Sequence, residues 1–293
     1  MTLLIQLLAN GLVNGAVFAL LACAFGLVYR SARVFHIAFA GLFLIPPYVV
    51  FVAKVWFHLP MWTACCVGIA GGILAGYLTE MLLYRPLFFR KASQSAVLVA
   101  SLGAYVIMEN SIALLFGNDT RILAQNLVGQ IRLGPVTLAD AQVIQFVVCT
   151  SALCAFVAAI KRMRVFKAVW AMGDEPRLIS VLGLPLRKYR TVVFTVSAGM
   201  AGIAGCVIAL DVGVNPHVGM GYLMLAAIAV LVGGTDRFEG WIVGGLGLAI
   251  LQSLTVWKLS PKWTDLMTYV VLITALLFWP NGLIGQKRRL EEA

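Results

Sequence analysis

The sequence predicts an all-α fold, a polytopic transmembrane helical bundle of eight or nine spans with one short helix projecting from it on the cytoplasmic side. Three observations carry this. Hydrophobic residues make up 61% of the 293, charged residues 12%, and the mean hydropathy is +0.95, which leaves too little polar surface to cover a water-soluble core. The apolar runs are about 15 to 24 residues long and lack strand-like alternation, so they read as helices rather than barrel strands. One long polar stretch, residues 161–190, interrupts them; it carries eight Lys or Arg, each of which would cost about 2.5–3.5 kcal/mol or more at bilayer depth, so it must lie in water. The whole of 1–293 is read as one transmembrane domain with 161–190 as a cytoplasmic loop inside it.

Spans are expected at 7–29, 34–57, 61–83, 95–117, 141–160, 191–210, 220–234, 240–257 and 266–285. The first has no basic segment ahead of it, unlike a cleaved signal peptide, and is expected to remain as a span. The second carries Pro46 and Pro47, with His36 and Phe39 near its start. The fourth carries Glu109 and Asn110 near its middle, and Glu80 at the end of the third lies within reach of Arg85. In the sixth, Ser197, Ala201 and Gly205 repeat every four residues, as do Ala198 and Gly202; Gly240 and Gly244 do the same in the eighth, a spacing that lets helix backbones approach closely. The seventh run is only about 15 residues, too short to cross ~30 Å of hydrocarbon at about 1.5 Å per residue.

Nine crossings put the termini on opposite sides. With the N-terminus outside, 17 of the 22 Lys and Arg fall on the cytoplasmic side and 5 on the other, which places residues 118–140 outside and the C-terminus in the cytoplasm. The net charge of +10 then faces anionic lipid headgroups, not nucleic acid.

Short and proline-interrupted spans mark a transport path, because freed backbone groups are tolerated only where they line protein or water. A packing kink explains the same prolines, and both readings stand. Glu109 is either a polar group on such a path or an interhelical hydrogen-bond partner. Asp211, Asn215 and His217 read as solvated turn residues. The six cysteines lie in apolar runs without ligand spacing, and the sequence contains no phosphate-binding loop, zinc-hydrolase motif or nucleophile elbow. No catalytic residue, metal or cofactor is expected on this chain.

Within 161–190, Asp174, Glu175 and Pro176 fit the first turn of a helix that runs through Arg177, Leu178 and Leu182 and stops at Gly183. Its apolar residues leave too little polar surface for a helix alone in water, so it is expected to dock on a partner. Composition also admits a basic loop lying on lipid headgroups.

The motifs together resemble the branched-chain amino acid class of bacterial ABC importer permeases, the shorter of the two permease subunits. Asn10-Gly11-Leu12-Val13 with Ala19-Leu20 is similar to its opening span, Tyr84-Arg85-Pro86-Leu87 to its YRPL motif, Asn110–Gly117 to its fourth span, and Asp174–Gly183 to its coupling helix. Asn215-Pro216 with Gly219, Val232-Gly233-Gly234, Gly240, Gly244-Gly245, Pro280, Gly282-Leu283 and Gly285 follow its C-terminal pattern in order. The chain departs from it at His36-Ile37-Ala38-Phe39-Ala40, at Glu109 in place of a glutamine, and at Asp236 and Glu239.

The resemblance implies a permease paired with a second, distinct permease subunit, two ATPase subunits that bind the ATP, and a periplasmic solute-binding protein, in the bacterial inner membrane. Asp174, Glu175, Pro176, Arg177, Leu178, Leu182 and Gly183 would form the ATPase-coupling surface, and His36, Phe39, Glu109, Asn110, Asn215 and Pro216 would lie on the translocation path. The cargo would be an amino acid or a related small polar or organic-acid compound. Two other classes remain: an ion-coupled secondary transporter with Glu109 as its titrating group, and a non-transporting membrane scaffold.

Overall fold

The computed structural model describes residues 2–123, 129–133, 136–174, 185–279 and 282–284. At its centre is α1, Thr2–Ala32, in which every residue from Gly15 to Val28 is buried. A helix that is apolar all round has no face to give to solvent and is enclosed by its neighbours. Those neighbours are α5 (Asp140–Arg162), α7 (Leu186–Asp211), α8 (Gly219–Gly233) and α9 (Phe238–Lys258). Outside them stand α2 (Phe39–Val55), α3 (Met61–Thr79), α4 (Gln94–Phe116) and α10 (Thr264–Phe278). Helix α3 continues through a π-helical turn, Glu80–Tyr84, into a single turn at Arg85–Phe89. An antiparallel hairpin, β1 (Gln130–Leu133) and β2 (Val136–Ala139), pairs Gln130 with Ala139. The Gln6 side chain caps β2 by bonding both the carbonyl and the N–H of Thr137 at 2.7 Å.

Seven helices among the described residues are long and apolar enough to cross a membrane; α2 and α10, at 17 and 15 residues, are shorter. All nine predicted spans are helical and alternate in direction, so the described chain starts at the hairpin end of the bundle and finishes at the other.

Three expectations need correction. The seventh span is not limited to 15 residues, because a 3₁₀ turn at Pro216–Val218, opened by the preset φ of proline, lengthens it to 18. The ninth stops at Phe278 instead of continuing to 285: Trp279 (ψ 71°) precedes Pro280, a position from which α geometry is sterically disfavoured. Residues 161–190 are not one polar loop, since α5 runs on to Arg162 and a further helix, α6 (Arg164–Asp174), follows an extended break at Met163.

The small residues sit at the closest helix contacts. A Cβ at Gly205 would overlap the Phe43 carbonyl, and at Gly240 or Gly244 the backbone of Gly233 and Ala229. A further stripe, Ala64, Gly68, Gly72 and Gly76, forms the buried face of α3. Pro46 of α2 meets Gly72 and Gly202, and Pro47 meets Gly205, so the two prolines are accommodated by glycines of the adjoining helices. The last described residues close the end of α8: Gly282 (φ +77°) lies against Gly234, and the N–H groups of Leu283 and Ile284 donate to the carbonyls of Val232 and Gly233 at 2.9 and 3.0 Å. Helix-end carbonyls that would otherwise lack partners are satisfied in this way.

Candidate functional site

The end opposite the hairpin is strongly basic. Helix α6 is seated there by Phe166, Val169 and Met172, three residues apart and all buried. Trp170 packs 5.5 Å from Trp241 and 6.1 Å from Phe238, with the Arg30 guanidinium 5.8 Å from its ring. Arg33 Nε donates to the Gly173 carbonyl at 3.1 Å, and Arg30 lies 3.9 Å from Asp236. These contacts hold Gly173 against the end of α1. Asp174 is the last residue of α6; Glu175, Pro176, Arg177, Leu178, Leu182 and Gly183, with the helix expected to start at Asp174, lie outside the described residues.

Beside this surface the π-helical turn carries two buried polar groups. Glu80, 2% exposed, receives Arg85 Nη2 at 3.2 Å and the Thr191 hydroxyl at 3.1 Å, joining α3 to α7. The Tyr84 hydroxyl lies 2.6 Å from His36 Nδ1 and 2.7 Å from Ser101 Oγ, and that oxygen accepts the Ala38 N–H at 2.9 Å. The starts of α2 and α4 are thereby bonded to the end of α3. His36 sits among Phe39, Tyr84 and Phe194, and π-helical turns recur at functional positions.

At the hairpin end, the segment after α4 is stitched to the segment before α8. Arg121 and Val214 exchange two backbone hydrogen bonds, 2.8 and 2.9 Å. His217 Nδ1 lies 2.8 Å from Glu109 Oε1 and its Nε2 lies 3.2 Å from Asn118 Oδ1. Asn215 accepts the His217 N–H at 2.9 Å through Oδ1 and donates to the Asn118 carbonyl at 3.0 Å. A cavity of about 400 Å³ opens beside His217, walled by Tyr222, Gln252, Asp265, Thr268 and Tyr269 on its polar side and by Phe18, Leu225 and Ile228 on its apolar side. Its size and mixed lining suit a small molecule with both polar and apolar parts.

Over residues 7–276 the sequence matches the family described as branched-chain amino acid transport system / permease component. The chain belongs to this family. The permease is 26% identical to the high-affinity branched-chain amino acid transport system permease protein LivH of Escherichia coli over 96% of both chains. It is 25% identical to the corresponding protein BraD of Pseudomonas aeruginosa, again over 96% of both. A probable branched-chain amino acid transport permease, LivH of Methanocaldococcus jannaschii, is 24% identical over 96% of this chain and 92% of its own. With seven helices long and apolar enough to cross, the family makes this a multi-pass inner-membrane transport subunit.

The permease brings together only some of the residues singled out in its sequence. Glu109, Asn215 and Pro216 converge at the hairpin end, Pro216 buried and opening the 3₁₀ turn. Asn110 is exposed on α4, with its amide donating to the Val106 carbonyl at 2.8 Å. His36 and Phe39 are fully buried, 0% exposed, at the basic end. His217, read as a solvated turn residue, lies in the 3₁₀ turn with its side chain exposed and is also the partner of Glu109. Tyr84, Ser101 and Thr191 carry no local signal of their roles, because each acts on a residue far away in the chain.

Proposed function

We propose that the permease is one half of the pore of an ATP-driven importer. A second, distinct permease subunit completes the pore, two ATPase subunits bind and hydrolyse the ATP, and a periplasmic solute-binding protein delivers the cargo. The end-to-end family match carries this reading. The N-terminus and hairpin face the periplasm, and the basic end, with residues 174–183, faces the cytoplasm and the ATPases. Support for that orientation comes from the basic residues, which segregate to one end of the bundle as cytoplasmic loops require. In a cysteine-free background, a new cysteine at Arg132 is expected to react with a membrane-impermeant thiol reagent in intact cells, and one at Lys287 is not; the reverse pattern would invert the assignment.

The cargo is an amino acid or a related small polar or organic-acid compound, entering past Glu109, Asn110, Asn215 and Pro216 and the cavity beside His217. His36 and Phe39 border the path only from within the packing, where they set the position of α2. The relatives' transport of branched-chain amino acids and the mixed lining of the cavity support this class. Glu109→Gln is expected to import nearly as well as the parent, since the amide oxygen still accepts from His217. Abolished uptake, with an ATPase pair bound and hydrolysing, would give Glu109 a direct part in moving the solute.

A further inference from the structure

We propose that the pocket between the Arg85–Phe89 turn and the start of α7 binds the phosphate headgroup of an anionic phospholipid. The cavity, about 200 Å³, is walled by Arg85, Arg187, Arg190, Phe88, Phe89 and Glu80. Two of its three guanidiniums lie over aromatic rings, Arg187 at 4.1 Å from Phe89 and Arg190 at 3.9 Å from Phe88. Stacking holds each planar fork in place without using its N–H donors, which leaves them to bond an anion. The one carboxylate, Glu80, is already engaged by Arg85 and Thr191, so the pocket keeps an excess of positive charge.

The surroundings select a lipid over free phosphate. Phe89 is 59% exposed and Leu82, two turns earlier on the same continuous helix, is 70% exposed. This apolar flank adjoins the guanidiniums, as acyl chains adjoin a headgroup, and free phosphate would leave it uncovered. Basic pockets between helices at the membrane surface take anionic headgroups by the same combination of charge and apolar contact.

The test uses the full-length permease purified in detergent and mixed with equal amounts of phosphatidylglycerol and phosphatidylcholine, with retained lipid counted by native mass spectrometry. Phosphatidylglycerol is expected to be retained preferentially by the parent. Arg187 is exposed, so Arg187→Gln should fold and melt as the parent does without lipid, yet lose roughly fivefold in that preference, the equivalent of about 1 kcal/mol per basic residue near an anionic surface. Arg187→Lys should lose less, because the charge remains. An unchanged preference in Arg187→Gln, or none in the parent, would overturn the proposal. So would displacement of the lipid by inorganic phosphate at equal concentration, which would make this a site for the free anion. Loss of ATPase capture by Arg187→Gln with lipid retention unaltered would mark a protein-docking pocket instead, and would equally overturn it.

Discussion

Glu80→Leu is expected to destabilise the permease by about 3 kcal/mol, the lower end of the cost of breaking a buried ion pair, because Arg85 keeps 33% of its side chain exposed. The carboxylate is 2% exposed and is bonded by the Arg85 guanidinium and the Thr191 hydroxyl. Removing it leaves a positive charge beside Arg190 with no counter-charge in contact among the described residues, at the junction where the π-helical turn of α3 meets α7. Leucine supplies hydrophobic bulk but no acceptor, so the cost is electrostatic and not a loss of volume. Glu80→Gln keeps an acceptor for Thr191 and should lie between the two. Thermal unfolding of the purified protein in detergent measures this. Equal melting temperatures for the parent and Glu80→Leu would show that the ion pair contributes nothing.

Leu182→Glu is expected to leave membrane insertion intact while weakening the ATPase complex at least roughly tenfold. Burying a leucine in a partner's groove contributes about 1.5–3 kcal/mol, and about 1.4 kcal/mol is a factor of ten in affinity. A carboxylate forced into the same groove adds its own desolvation cost. Helix α6 is anchored ahead of this segment by Phe166, Val169, Met172 and Trp170. Affinity capture of the ATPase pair and solute uptake should therefore fall together at unchanged permease abundance. Retention of both at parental levels would make residues 174–183 a solvated connector.

The spans are legible in the sequence because hydrocarbon demands long apolar runs, and their packing is partly legible because glycine spacing reports close backbone approach. The stripe Ala64, Gly68, Gly72 and Gly76 has the same four-residue spacing as those recognised in α7 and α9, so its signal was available too. Helix α6 is harder to see: it is 11 residues long with Arg164 and Lys167 in its first turn, and only the three-residue spacing of Phe166, Val169 and Met172 reports its buried face. The hairpin is hidden by strands of four residues each in a segment otherwise read as loop. The polar pairs are hidden for a different reason. Glu80 and Arg85 are neighbours in sequence and can be paired by reading it, whereas His36 with Tyr84 and Glu109 with His217 are 48 and 108 residues apart. Local pattern carries no information on such partners; only the packed bundle brings them together.

The source of energy is the centre of the account, and uptake by the reconstituted complex tests it most directly. The permease, its partner permease and two ATPase subunits would be placed in proteoliposomes with the solute-binding protein and radiolabelled amino acid. Accumulation is predicted to require ATP inside the vesicle's nucleotide-accessible compartment and to proceed without any proton or sodium gradient. Accumulation by the permease alone, driven by an imposed ion gradient and indifferent to ATP, would contradict it.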